Sequence, residues 1–137
     1  MWYQDFSDRL GDWSDLRTSV QNLPLEQALQ TINEWWFNSP WQSYYLHWDD
    51  LPSWPDPWQL LSDNVYCDLA RALGILYTIS LLDRADMMDA ELVLTENGDN
   101  LVRVAKEKYI LNWKNDSILN NKPKVKTIRR LKQYQIQ

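Results

Sequence analysis

A single cysteine, Cys67, precedes Asp68 and a long apolar run, at a position where a helix is expected to begin. The first turn of a helix has unpaired N–H groups and a positive dipole end, which stabilise a thiolate. A thiolate is a nucleophile for acyl transfer when a base lies within hydrogen-bond reach. The chain has one histidine, His47, which is therefore the candidate base. The alternative is that Cys67 is a small buried hydrophobe and His47 a hydrogen-bonded packing residue.

Most other chemistries lack the residues that they need. Zinc and iron–sulfur sites use several Cys or His ligands, and this chain has one of each. The sequence has no GxxxxGK[ST], GxGxxG or HExxH motif, and its three glycines are too few for a phosphate-binding loop. Paired carboxylates such as Asp49–Asp50 are more typical of solvated acidic turns than of a cation site. We therefore expect neither a metal nor another cofactor.

The N-terminal part of the chain predicts helices separated by an aromatic loop. Apolar residues spaced by three and four predict amphipathic helices over residues 1–21 and 24–38. Residues 41–58 hold three prolines and six aromatic residues, which favours an extended or looped segment pinned by rings. Asp56 followed by Pro57 predicts an N-cap and the start of a short helix.

The next helix is predicted to form the centre of the fold. Residues 64–83 carry apolar side chains on nearly every face, a pattern typical of a buried helix. Asp63 or Asn64 is its expected N-cap. Gly74 is expected to allow close approach of a neighbouring element, because glycine otherwise destabilises a helix interior by about 1 kcal/mol.

Strands follow the central helix. Residues 90–96, 101–105 and 109–113 are short and rich in strand-forming residues. The Asn-Gly-Asp-Asn stretch at 97–100 predicts a hairpin turn, and 106–108 a second turn. The sequence thus predicts an α+β domain, with helices packed on a small antiparallel sheet.

Charge is distributed unevenly along the chain. Residues 1–100 hold four basic and seventeen acidic side chains, whereas residues 101–137 hold ten basic and two acidic ones. We predict one α+β domain over residues 1–121 and a basic C-terminal arm over residues 122–137. The arm is either an amphipathic helix or a strand, and such asymmetry is typical of an interaction surface. Its predicted partner-binding residues are Lys124, Val125, Lys126, Ile128, Arg129, Arg130, Leu131 and Lys132.

The stretch "DPWQLLSDNVYCDLA" at residues 56–70, followed by a meander, resembles the core of transglutaminase-like cysteine peptidases. The resemblance implies that Cys67 is the nucleophile and that a His and an Asp follow on successive strands. The stretch Asp99, Asn100, Leu101 lies where the His is expected, and Asn112 lies where the Asp is expected at the end of the following strand. Under this interpretation the chain is a cysteine hydrolase or amidase that uses Cys67, His47 and Asn112, with Asn112 orienting the histidine.

A second resemblance extends over most of the chain. The segments "PLEQAL", "WDDLPSWPDPWQLL", "CDLARALGI" and "YILNW" are similar to those of small virion proteins of contractile-tailed cyanobacterial phages. That resemblance implies a non-catalytic structural component of the virion, in the tail or baseplate, assembled in the host cytoplasm. Its expected partners are other virion proteins, with no nucleic acid, membrane span or small-molecule substrate. Because no histidine follows Cys67, the sequence favours this non-enzymatic function over the hydrolase.

Overall fold

The computed structural model describes residues 2–82, 84–105, 108–114, 117–119 and 127–136. These residues form five α-helices and five strands. In chain order they are α1 Phe6–Val20, α2 Leu25–Phe37, α3 Pro57–Asp63, α4 Asp68–Ser80, β1 Glu91–Thr95, β2 Asn100–Val104, β3 Tyr109–Lys114, β4 Ser117–Leu119, β5 Thr127–Lys132 and α5 Gln133–Ile136. Within these residues, no helix combines the length and apolar character needed to cross a membrane.

The strands form one antiparallel sheet in the order β4-β3-β2-β1-β5. The predicted meander is confirmed as β1, β2 and β3, and Gly98 has a φ of 86° in the hairpin turn between the first two. One face of the sheet, including Leu92 and Val102, packs in the main core with the helices. The opposite face has a small cluster of its own, formed by Val93, Leu101 and Ile110. The predicted α+β class is therefore confirmed.

Helix α4 is the buried centre of the fold, as its apolar pattern predicts. Trp13 of α1 and Trp36 of α2 both donate their indole N–H to the hydroxyl of Thr78, each at 2.9 Å. Gly74 lets α2 approach, because a Cβ built on it would lie 2.6 Å from the Trp36 ring. Buried Trp N–H groups need acceptors, and one hydroxyl serves both rings.

The predicted start of the central helix at residue 64 is wrong. Asn64 ends α3 in a left-handed conformation, with a φ of 57°. Tyr66 is extended and forms a parallel bridge with Trp41, so its backbone pairs with the aromatic loop and not with a helix. Helix α4 begins at Asp68, and Cys67 is its N-cap residue. Neither Asp63 nor Asn64 caps it.

The C-terminal segment is part of the sheet in the residues that the structure describes. Residues 127–132 form β5, which pairs with β1 and resolves the choice between helix and strand for this part. Leu131, predicted to face a partner, is 3% exposed and lies in the core of the protein itself. Leu131 is corrected to a core residue because it lies opposite Leu92, which belongs to the same core.

The other predicted partner-binding residues divide into two groups. Arg129 is half-buried, while Arg130 and Lys132 are exposed on β5 and both lie near Glu91 of β1, at 3.0 and 3.8 Å. Lys124, Val125 and Lys126 fall outside the described residues, as does the side chain of Ile128. Partner binding by these residues stays a prediction.

Candidate active site

A cleft of about 320 Å³ opens beside the N-terminus of α4. Three elements form its walls: the loop 43–48, the first residues of α4, and the β1–β2 hairpin at residues 94–100. Two of the predicted site residues, Cys67 and His47, line this cleft together. The fold therefore brings the only thiol and the only imidazole of the chain to one cavity.

Cys67 holds the N-cap position of α4, with φ −87° and ψ −179°. Its side chain is 4% exposed and lies at the cleft wall. The sulfur accepts a hydrogen bond from the backbone N–H of Leu46 at 3.4 Å. The side chain makes no capping hydrogen bond, but the N-cap position lies at the positive end of the helix dipole, which favours negative charge on the sulfur.

His47 reaches the cleft from the aromatic loop. Its ring stacks on Trp48, with centroids 5.9 Å apart and an interplanar angle of 22°. Its Nδ1 accepts a hydrogen bond from the backbone N–H of Asp49 at 3.1 Å. A ring that accepts at Nδ1 carries its proton on Nε2 when it is neutral. The hydrogen bond from Asp49 to Nδ1 thus leaves neutral His47 with an N–H donor at Nε2.

Asp68 ties the first turn of α4 to two strands. One carboxylate oxygen accepts hydrogen bonds from the backbone N–H and side-chain amide of Asn100, at 3.3 and 3.1 Å. The other accepts from the amide of Asn112 at 3.2 Å. Burial raises the pKa of Asp68 and nearby Asp99 raises it further, whereas the hydrogen bonds from the two asparagines oppose this shift. The carboxyl is thus held in place by neutral donors in a poorly solvated site.

Asn112 packs behind this carboxyl. Its backbone has a φ of 63°, and its side-chain amide also donates to the carbonyl oxygens of Asp68 and Asn100, at 3.0 and 2.8 Å. These described contacts are with Asp68 and Asn100, and His47 is not among them. An orienting role of Asn112 for the histidine stays a prediction.

Sequence reasoning missed part of the cleft. The motif named Asp68 and the strand positions named Asn100, but nothing in the sequence indicated that the two residues hydrogen-bond to each other. The sequence does not place the aromatic loop beside a cleft, whereas Tyr44 and Trp48 line it and are 59% and 45% exposed. The density of Trp and Tyr in this loop was the one available signal.

Comparisons with known proteins identify structures of similar fold but no matching sequence family. No family model matches this chain, and no curated protein matches it by sequence. Two solved structures that match are of LapG from Legionella pneumophila, one of them EGTA-treated. The EGTA-treated structure has a TM-score of 0.72 and 16% identity, over 94% of this chain and 75% of that one. The other has a TM-score of 0.71 and 16% identity, over 94% and 77%.

LapG is a transglutaminase-like cysteine protease, so the architecture described here is a transglutaminase-like fold. The prediction that the chain is not an enzyme is corrected by this likeness, because the matching proteins are cysteine proteases. The comparisons give no support to the predicted phage origin or to the virion function.

Proposed function

We propose that this protein is a cysteine hydrolase or amidase in which Cys67 is the nucleophile. The observation that carries the proposal is the position of Cys67: it is the N-cap residue of α4 and lines a cleft that His47 also lines. The transglutaminase-like fold supports the same assignment, since LapG is a cysteine protease. A buried packing cysteine would not require a cleft beside its sulfur.

The proposed reaction has two covalent steps. The thiolate of Cys67 bonds to the carbonyl carbon of an amide, the C–N bond then breaks, and the amine leaves with a proton from the imidazolium. Water next attacks the thioester, which releases the carboxylic acid and restores the thiol. The N–H groups at the start of α4 stabilise both the thiolate and the oxyanion that forms on the carbonyl oxygen.

His47 is the proposed acid–base group. To take the thiol proton on Nε2, the ring must first give up the Asp49 N–H contact at Nδ1. The loop carrying His47 therefore has to shift slightly when the thiol ionises. Asn100 lies in the stretch where the resemblance implies a histidine, and Asn112 lies where it implies an aspartate. Both side chains donate hydrogen bonds to Asp68.

Replacement of the two reactive groups tests the proposal. We expect Cys67→Ala to abolish hydrolysis of a fluorogenic peptide-amide library, because no other thiol is present. We expect His47→Gln to lower kcat/KM by about 10²–10⁴-fold, the usual contribution of general acid–base catalysis. The exposed change Thr18→Ser on α1 is the control and should leave kcat/KM unaltered.

Alkylation provides a readout that does not depend on the choice of substrate. Iodoacetamide at neutral pH should modify native Cys67 at a rate comparable with that of a small free thiol, and His47→Gln should slow the reaction. Labelling that requires unfolding in urea would contradict the proposal. Thermal denaturation of each variant shows whether its fold is retained.

A further inference from the structure

One wall of the cleft carries several carboxylates. Asp68, Glu96 and Asp99 line this wall, and no Lys or Arg lies among the described residues that line the cleft. The side chains that hydrogen-bond to Asp68 are the neutral amides of Asn100 and Asn112. Asp99 destabilises the ionised form of Asp68, so these two carboxylates repel each other in the same cavity. A bound cation would remove that repulsion.

The loop 43–48 adds aromatic rings to the lining of the cleft. Tyr44 and Trp48 line the cleft and are 59% and 45% exposed, and the stacked His47 supports the Trp48 ring. The face of an aromatic ring carries negative potential and attracts Arg and Lys. Both the rings and the carboxylates therefore attract a positively charged group.

The lining also contains apolar side chains. Leu69 and Leu94 are each 3% exposed, and the half-buried Leu46 joins them in the lining. A basic side chain has a long hydrocarbon stem and a charged end. Such a side chain matches a cavity that is lined by both apolar and acidic side chains.

We propose that the cleft binds a peptide with Arg or Lys beside the amide that Cys67 attacks, its cationic end between Asp99 and the rings of Tyr44 and Trp48. This inference rests on the proposed function. It defines the substrate class as basic peptides, recognised by charge and by the length of the side chain.

Binding to the full-length Cys67→Ala variant separates recognition from hydrolysis. Three capped peptides that differ at one residue, carrying Arg, norleucine or Glu, are titrated by calorimetry. We expect the Arg peptide to bind at least about tenfold more tightly than the norleucine peptide, and addition of salt to reduce the difference. Asp99→Asn in the same background should weaken Arg binding by about fivefold, because an exposed ion pair contributes this much. Asp15→Asn, the same charge change on exposed α1, should have no effect.

The outcomes distinguish this inference from the proposed function. Equal affinity for the Arg and norleucine peptides, or no binding of either, would overturn the basic preference. An Arg peptide that binds tightly but is never cleaved by the wild-type protein would support the preference and overturn the hydrolase. Cleavage of both peptides with the same kcat/KM would retain the hydrolase and remove the preference.

Discussion

Asp68 lies next to Cys67, where burial and hydrogen bonding act on its carboxyl in opposite directions. Burial favours the protonated form and so raises its pKa, while Asn100 and Asn112 donate to the ionised form. This carboxyl joins the first turn of α4 to β2 and β3 through the neutral amides of Asn100 and Asn112. Asp68 thus links the start of the helix that carries Cys67 to the sheet.

The pH dependence of stability tests the environment of Asp68. Because its pKa is raised above the ordinary value of 3.8, the fold favours the proton that the unfolded chain gives up. The stability that this group contributes is therefore full below the unfolded pKa and is lost as pH rises through the folded pKa. The free energy of unfolding of the wild type, relative to Asp68→Asn, should therefore fall as the pH rises from below 3.8 through the raised pKa of the folded state.

Urea unfolding at successive pH values measures this difference. Asp15→Asn, an exposed change of the same charge, controls for the altered net charge of the chain. A wild-type advantage that grows as pH rises would mean that hydrogen bonds, and not burial, dominate the titration of Asp68.

At the scale of elements, the contact between α2 and α4 fixes the direction of the helix that carries the site. Gly74 and Trp36 meet at this contact, and Thr78, one turn further along, anchors the indoles of Trp36 and Trp13. Cys67 is the N-cap residue of the same helix. Displacement of α4 at Gly74 would therefore move Cys67, the proposed nucleophile, relative to the cleft.

A pair of glycine substitutions tests this contact. Gly74→Ala should destabilise the protein by about 1–3 kcal/mol, the usual cost of overpacking, although alanine is the better helix former. Gly11→Ala in α1 is the matched control: a Cβ there meets nothing within 4 Å, so we expect stabilisation by about 0.5–1 kcal/mol. Thermal and urea unfolding measure both, and an increase in stability for Gly74→Ala would refute the close approach.

At the scale of the whole molecule, β5 covers the edge of the sheet next to β1. Its register places Arg130 and Lys132 near Glu91, so basic residues of the C-terminal segment contact the acidic part of the same chain. Leu131 between them enters the core. Two of the basic residues near the C-terminus thus pair with an acidic residue of the same fold.

Two neighbouring substitutions in β5 separate core packing from surface charge. Leu131→Ala should cost about 2–4 kcal/mol of unfolding free energy, as for other buried leucines. Lys132→Ala should change it by less than about 0.5 kcal/mol, because exposed ion pairs contribute little. Chemical denaturation compares them. Equal, small effects would show that β5 is a docked arm and not an integral strand.

Removal of the C-terminal segment is a second test of whether β5 is an integral strand of the fold. A chain that ends at residue 126 lacks Leu131 and Ile136, both buried in the core. We expect it to unfold at a lower temperature and with less cooperativity than the full chain. A truncated chain with wild-type stability would restore the view of residues 122–137 as a separable arm.

The sequence by itself determined the local features. Apolar spacing determined α2 and the buried α4, Asp56 and Pro57 determined the start of α3, and Asn-Gly determined the hairpin between β1 and β2. Each of these signals acts between residues close together in the chain. Turn geometry, capping and periodicity are short-range effects, so the residues that cause them are visible without the fold.

The tertiary structure alone decided the site. His47 and Cys67 are separated by a loop and a helix, and only packing brings both to one cleft. The pairing of β5 with β1, and the contacts of Asp68 with Asn100 and Asn112, join residues about 30 to 45 positions apart. Contacts at such separation depend on how the sheet and helices pack, for which a single sequence carries no direct signal.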